Sequence, residues 1–267
     1  MRVIAALDNS LAARPVLATA QSLAKLFGAR IEAVHVRGNG DRVASSEAAA
    51  AGLELQVLTG ATVERLAEAA AADDVAALVV GARGTPAGAR PVGSTAFELM
   101  TSLTKPLVVV PPDVARPAEL RRVLVPLEGT ISTALAPRRL IELASGADLD
   151  VVVLHVHDDS SLPAFTDQPQ HEADAWAEEF LARYVPGSLG DVRLEVRVGR
   201  REEEILRAAE ETGADLIALG WSQDLAPGRA CVVRAVLERG RVPVLLVPVY
   251  LPAAGAEAVE RSESWTG

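Results

Sequence analysis

Short runs rich in Val, Leu, Ile and Ala alternate along this chain with longer segments whose apolar residues return every three or four positions. Runs of that length bounded by turn residues read as strands, and the longer segments read as amphipathic helices. The strands expected in the first half are Val3–Leu7, Ile31–Val36, Leu53–Leu58, Ala76–Val80 and Leu107–Val110. In the second half they are Val123–Leu127, Val151–Val156, Val192–Val198, Leu216–Leu219 and Val244–Val247. Between the first two strands, Val16, Leu17, Ala20, Leu23, Ala24 and Phe27 form one apolar helical stripe, which Gly28 closes. Pro15 and Pro137 fall early in the first helix of each half, where they predict an irregular first turn. Near-continuous apolar strands alternating with helices imply an α/β fold with a parallel, doubly wound sheet and right-handed crossovers.

The same order of elements occurs twice. Val3–Ser10 aligns with Val123–Thr130, and Ala33–Val36 with Val153–Val156, both at an offset of 120 residues. Gly60 and Gly81 align with Gly199 and Gly220 at an offset of 139, and Lys105–Pro111 aligns with Val242–Pro248 at 137. Two copies of one unit therefore make up the chain. The expected domains are residues 1–115 and 119–252, followed by a disordered tail at 253–267. Between its second strand and the next matched glycine, the second copy carries 19 more residues than the first. Those include 171–185, where Ala173, Trp176, Phe180 and Tyr184 share one helical face; the first copy has only a short Ala-rich segment near Ser45–Ala51.

Composition narrows the class without disturbing this picture. The 267 residues are 49% hydrophobic with a single Cys, which excludes a disordered chain and a disulfide scaffold. Aromatic residues are only 3%, so the core must be aliphatic. The longest apolar stretches fall well below the roughly 18 residues of a membrane span. The start reaches Asp8 without an extended apolar segment, unlike a signal peptide. A cytoplasmic protein without membrane contact is the expectation, and the lone Cys231 agrees with it. The net charge of −10 is unevenly spread: residues 1–117 hold 11 basic and 11 acidic side chains, residues 118–252 hold 14 and 22. An acidic chain with few aromatics gives no support to nucleic-acid binding.

In a doubly wound sheet, ligands bind beyond the carboxyl ends of the strands, where the strand order reverses. Strand one ends in Asp8, whose carboxylate can accept hydrogen bonds from ribose hydroxyls or an exocyclic amine. Strand four runs into a loop from Gly81 to Thr95 that contains Arg83, Gly84, Gly88, Arg90, Gly93 and Ser94 and opens a helix. Glycines let backbone N–H groups approach an anion, and a helix start adds unpaired donors and a favourable dipole. The loop reads either as a phosphate cradle or as an ordinary surface loop. Rival nucleotide motifs are absent: no G-x-G-x-x-G follows strand one, and neither Lys25 nor Lys105 sits in a Walker sequence.

With these residues in view, both halves resemble the universal stress protein family, and the whole chain resembles its tandem two-domain members over residues 1–112 and 121–250. The ATP-binding branch of that family carries G-x2-G-x9-G-(S/T) after strand four, an Asp ending strand one and a Val after the strand-two His. This chain has Gly81-x2-Gly84, eight further residues and then Gly93-Ser94, together with Asp8 and His35-Val36, so its loop is one residue shorter. The resemblance implies two five-stranded sheets in the order 3-2-1-4-5, packed as an intramolecular pseudo-dimer through their fifth strands. It further implies that Gly84, Gly93, Ser94 and Thr95 hold phosphates, that Asp8 touches the ribose or adenine, and that the backbones of Ala6 and Val36 contact adenine. Gly81 opens that loop, and Arg83 either adds charge to a phosphate or is a solvated arginine. ATP is the implied ligand, with AMP, cyclic AMP or ADP as alternatives for the shortened loop.

The second half departs from that pattern. Glu128 replaces the Asp, Gln223 replaces the second glycine, and Ala230-Cys231-Val232 stands where the first copy has Gly93-Ser94-Thr95. Asp224 adds a charge that repels phosphate. No cofactor is expected in this half, which would serve as a structural partner. His155 and His157 share one side of a strand end beside Asp158 and Asp159 and read as strand-end polar groups rather than metal ligands. The segment Gly220-Trp-Ser222-Gln-Asp224 lacks the last glycine of a nucleophile elbow, which leaves a serine hydrolase as a distant reading. Cys231 is expected to be a small buried residue at a helix start rather than a catalytic thiol. No residue set suits efficient turnover, so the expectation is a nucleotide-binding protein with a regulatory or stress-response role and no enzyme. The competing expectation is a ligand-free module of the same fold that docks an unknown protein partner; a homodimer of the two-domain chain is compatible with either.

Overall fold

A computed structural model of the chain describes residues 1–38, 40–83, 92–112, 114, 119–128, 140, 149–157, 178–183, 192–224 and 230–249. The first half runs β1 (Arg2–Ala6), α1 (Ala13–Leu26), β2 (Arg30–Val36), α2 (Arg42–Ala50), β3 (Leu55–Leu58), α3 (Thr62–Ala71), β4 (Val75–Gly81), α4 (Ser94–Ser102), β5 (Leu107–Val110). In the second half the elements are β6 (Arg122–Pro126), β7 (Asp150–His157), β8 (Val192–Val198), α5 (Arg201–Thr212), β9 (Leu216–Trp221), α6 (Cys231–Arg239) and β10 (Val244–Pro248). Each expected strand is present, with ends within two residues of those read from the apolar runs.

Helix α1 shows how locally the chain sets its elements. Val16, Leu17, Ala20, Leu23 and Ala24 are buried on the sheet, as the stripe requires. Gly28, in the left-handed conformation at φ 58°, ends the helix, and the next amide, that of Ala29, returns to the Ala24 carbonyl at 2.8 Å. The irregular first turn expected at Pro15 is not found: Val16 N–H closes on the Ala12 carbonyl at 3.1 Å and the turn stays helical. A proline in the first turn lacks an N–H that has no intrahelical partner in any case. Pro137 lies outside the described residues.

The strands form one ten-stranded sheet in the order β3-β2-β1-β4-β5-β10-β9-β6-β7-β8. Each half therefore contributes a block ordered 3-2-1-4-5, parallel throughout, and the blocks meet where β5 and β10 pair antiparallel. Val108 stands opposite Leu245 at that seam, flanked by Val109 opposite Val244 and Leu107 opposite Leu246. Val108 and Leu245 are equivalent positions of the repeat, so the pseudo-twofold axis passes between them. All six side chains are essentially inaccessible to solvent. Each contributes on the order of 1.5–3 kcal/mol by burial. Pairing also removes two apolar strand edges that would otherwise invite aggregation.

Helices cover both faces. One core layer packs α1 and α2 on the sheet together with Leu140 and Phe180, and the other packs α3, α4, α5 and α6. The Ala-rich segment near residue 45 is α2, whose small Ala44 and Ala48 let it lie close to its neighbours. Of the helical face expected at 171–185, Phe180 is buried in a helical run at 178–183; Ala173, Trp176 and Tyr184 lie outside the described residues, as does the tail. Among the described residues no helix is long and apolar enough to cross a membrane.

Candidate functional site

In the first half, β1 lies between β2 and β4, so the carboxyl ends of these three strands border the point where the strand order reverses. Ala6 and Val36 end β1 and β2, and both are half-buried. Asp8 follows β1 in a tight turn: its Oδ1 accepts the Ser10 N–H at 3.1 Å and the Ser10 hydroxyl at 2.6 Å. Ser10 Oγ in turn accepts the Ala12 N–H at 3.1 Å, which ties the turn to the start of α1. Oδ2 of Asp8 accepts no bond among the described residues, leaving one carboxylate oxygen for a ligand.

Neighbouring bonds hold this strand end in place. Leu7 N–H donates to the Val34 carbonyl at 2.8 Å, while His35 Nδ1 lies 2.8 Å from the Leu7 carbonyl and Nε2 lies 3.0 Å from the Gly40 carbonyl. A neutral imidazole donates to one of these two acceptors and an imidazolium to both. Asn9 Oδ1 accepts the Val43 N–H at 2.7 Å and so caps α2 from the β1–α1 loop. Asn9 and Ser10 are shaping residues that sequence reading does not assign, and His35 enters it only as the neighbour of Val36. The signal available is the Asp-x-Ser spacing, which favours local side-chain bonds to backbone N–H groups.

On the other side, Gly81 ends β4 opposite Val110. A Cβ there would lie 3.3 Å from the Arg83 carbonyl, so the absent side chain gives the backbone room to turn after β4. The Ala82 carbonyl accepts the Gly93 N–H at 2.7 Å, clasping together the two ends of the glycine-rich loop. Gly84 and the loop as far as 91 lie outside the described residues, while Arg83 is half-buried at the loop's start. Gly93 caps α4 with φ −68° and ψ 159°, and no side chain closes that helix start. The first N–H groups of α4, from Ser94, Thr95 and Ala96, therefore point outward without intrahelical partners, and Ser94 and Thr95 add hydroxyls. Three amides, two hydroxyls and a helix dipole together offer the chemistry that suits an anion.

The second half repeats the bonds that hold the strand end in the first. Leu127 N–H donates to the Leu154 carbonyl at 2.9 Å, and His155 Nδ1 lies 2.8 Å from the Leu127 carbonyl, reproducing the Leu7 and His35 bonds at the same offset of 120. Glu128, exposed, lies 3.9 Å from Arg201. His157 packs edge-on against His155 with ring centroids 4.4 Å apart, and His155 also meets Phe180 at 4.7 Å. Burial holds both imidazoles below the ordinary histidine range; the Leu127 carbonyl partly opposes this at His155, and His155 reinforces it at His157. Among the described residues no three His, Cys, Asp or Glu side chains converge as metal ligands.

In the loop after β9, Gln223 at φ 61° and Ala230 at φ 57° are left-handed and Ser222 is not, so the backbone turn of a nucleophile elbow does not fall on the hydroxyl. Cys231 begins α6 as expected but is exposed, contrary to the burial expected of it. The face of α6 turned to the core carries Val233, Val236 and Leu237, and position 231 lies off that stripe. A groove of about 550 Å³ runs along α1 and α2, away from the strand ends, and its Lys25 is paired to Glu119.

Fold and site together define a tandem α/β protein with two doubly wound blocks in one sheet and a candidate anion cradle in the first block. The model of the universal stress protein family matches residues 37–111 and 119–248, and the chain belongs to that family. The first match begins after β2, so Ala6, Asp8 and Val36 lie outside it. A universal stress protein from Archaeoglobus fulgidus is 19% identical, with a TM-score of 0.65 over 92% of this chain and 98% of that one. A functionally unknown protein from Pseudomonas aeruginosa is 14% identical, with a TM-score of 0.66 over 93% and 92%. A putative universal stress protein from the same species is 14% identical, with a TM-score of 0.63 over 93% of each chain. These likenesses concern the fold. No curated protein matches the sequence significantly.

Proposed function

We propose that the first half binds an adenine nucleotide and that the chain acts as a nucleotide-responsive regulatory protein rather than as an enzyme. The observation that carries this is the pairing, across one sheet crevice, of an available Asp8 carboxylate oxygen with the uncapped start of α4. In this reading Asp8 Oδ2 takes a ribose hydroxyl, and the Ala6 and Val36 backbones face the adenine. Gly84, Gly93, Ser94 and Thr95 take the phosphates, with Gly81 giving the loop room and Arg83 adding charge. ATP, ADP, AMP and cyclic AMP all present this chemistry, and titration with each decides how many phosphates the shortened loop takes.

The second half, by contrast, binds no nucleotide. Its strand end carries the longer Glu128, exposed and 3.9 Å from Arg201, its loop presents Asp224, and its helix start offers Cys231 in place of a hydroxyl. The domains in this reading are residues 1–115 and 119–252. Mass spectrometry of ligand released from the purified protein, followed by calorimetric titration with ATP, AMP and cyclic AMP, tests the proposal. Saturable binding lost in Gly93→Val supports it. Absence of binding by all three in the intact chain refutes it and favours the ligand-free module.

A further inference from the structure

The loop after β9 occupies, in the second half, the place that the glycine-rich loop occupies in the first, yet it reaches across the molecule. Trp221 is buried at the end of β9, and its Nε1–H donates to the Met100 carbonyl at 2.7 Å. Gln223 Nε2 donates to the Leu103 carbonyl at 2.6 Å and approaches the Met100 carbonyl at 3.4 Å. Both acceptors lie at the carboxyl end of α4, the helix whose amino end forms the candidate cradle.

The last carbonyls of a helix have no intrahelical donor and need one from elsewhere. In α4, Thr101 and Ser102 hydroxyls supply donors to Glu98, and Leu103 N–H returns to Leu99. Met100 and Leu103 receive theirs from residues more than a hundred positions along the chain. Gln223 holds φ 61°, a conformation that disfavours any residue but glycine. A glycine at this position, as in the first copy's Gly81-x2-Gly84, would relieve that strain but offer no donor.

We propose that this loop has exchanged phosphate binding for a positioning role: Trp221 and Gln223 fix the carboxyl end of α4 and so set where its Ser94, Thr95 and Ala96 amides stand relative to Asp8. This rests on the nucleotide reading above. α4 has nine residues, so its two ends are roughly 13 Å apart at about 1.5 Å per residue, a length over which a helix moves as a rod. The second half therefore enters the first half's site without touching the ligand, and Trp221 and Gln223 are positioning residues.

Gln223→Gly is the informative variant, because it removes the donor while relieving the left-handed strain, so the fold is retained. Trp221→Phe removes the indole donor with an aromatic ring kept. Calorimetric titration with ATP and AMP is paired with the melting temperature of each ligand-free protein, and with hydrogen exchange of the Phe97 N–H, the α4 amide that bonds back to the Gly93 carbonyl. The expected result for Gln223→Gly is a melting temperature close to the parent's, faster exchange at the α4 start and nucleotide affinity weaker by about two- to thirty-fold. Affinity within twofold of the parent in both variants, while the parent binds, overturns the positioning role and leaves the nucleotide reading intact. Absence of binding by the parent overturns both.

Discussion

Asp8 has two roles at the end of β1, and replacing it separates them. One carboxylate oxygen holds the Ser10 N–H at 3.1 Å and its hydroxyl at 2.6 Å, and Ser10 passes the restraint to Ala12 at 3.1 Å. Asp8→Ala removes an arrangement equivalent to a helix cap in a half-buried position, for which about 1 kcal/mol is typical. For a chain of this size that lowers the melting temperature by about 2–4 °C. Asp8→Asn retains an acceptor oxygen toward Ser10 and should lose less than half as much. The second oxygen is the one assigned to the nucleotide, and a hydrogen bond to a charged group contributes about 1.5–3 kcal/mol. Asp8→Ala is therefore expected to weaken nucleotide binding by roughly 10- to 150-fold. Thermal unfolding followed by circular dichroism reads the first effect and calorimetry the second. A variant as stable as the parent would refute the cap, and unchanged nucleotide affinity would refute the contact.

Two further predictions concern the scaffold. His155 and His157 titrate below the ordinary value of 6.5 in the folded chain because they are buried, so the unfolded chain takes up protons first as the pH falls. Stability from these two groups is complete above about pH 6.5 and is lost as the pH drops through their folded values. The urea midpoint should fall between about pH 7.5 and about pH 5.5, and fall less in His155→Asn, whose amide can still donate to Leu127; an equal fall in both proteins contradicts the assignment. At the end of α6, a Cβ on Gly240 would overlap the Val236 carbonyl oxygen, so Gly240→Ala should cost about 1–3 kcal/mol by denaturant titration. An unaltered midpoint would show that the helix end adjusts freely.

Much of the architecture is legible in the sequence because parallel strands buried on both faces must be apolar throughout. Leu107–Val110 and Val244–Val247 stand out as strands without reference to any partner, and their equivalence in the repeat points to the edges that meet. Pro15 misleads, because the penalty for proline applies inside a helix and not in its first turn. Cys231 misleads for another reason: a small apolar side chain says little about which way a helix start faces, and the stripe of Val233, Val236 and Leu237 decides it.

The site is legible in part. Asp8, Gly81, Gly93 and Ser94 stand out by residue type and position after a strand, so sequence alone nominates them. The turn that fixes Asp8 depends on a serine two residues on, a local bond that leaves only a weak trace in composition. Trp221 and Gln223 leave none, since their partners are backbone carbonyls of Met100 and Leu103 and carry no side-chain signature. In sequence their loop looks like a cradle that has lost its glycines. In the folded chain the same substitutions are contacts to the other half.

The proposal that one half binds nucleotide and the other does not reduces to the number of sites per chain. Calorimetric titration of the intact 267-residue chain with the adenine nucleotide that binds it most tightly measures that number directly. One site is expected, abolished by Gly93→Val and untouched by Glu128→Gln. Two equivalent sites, or a single site that survives Gly93→Val, would contradict it.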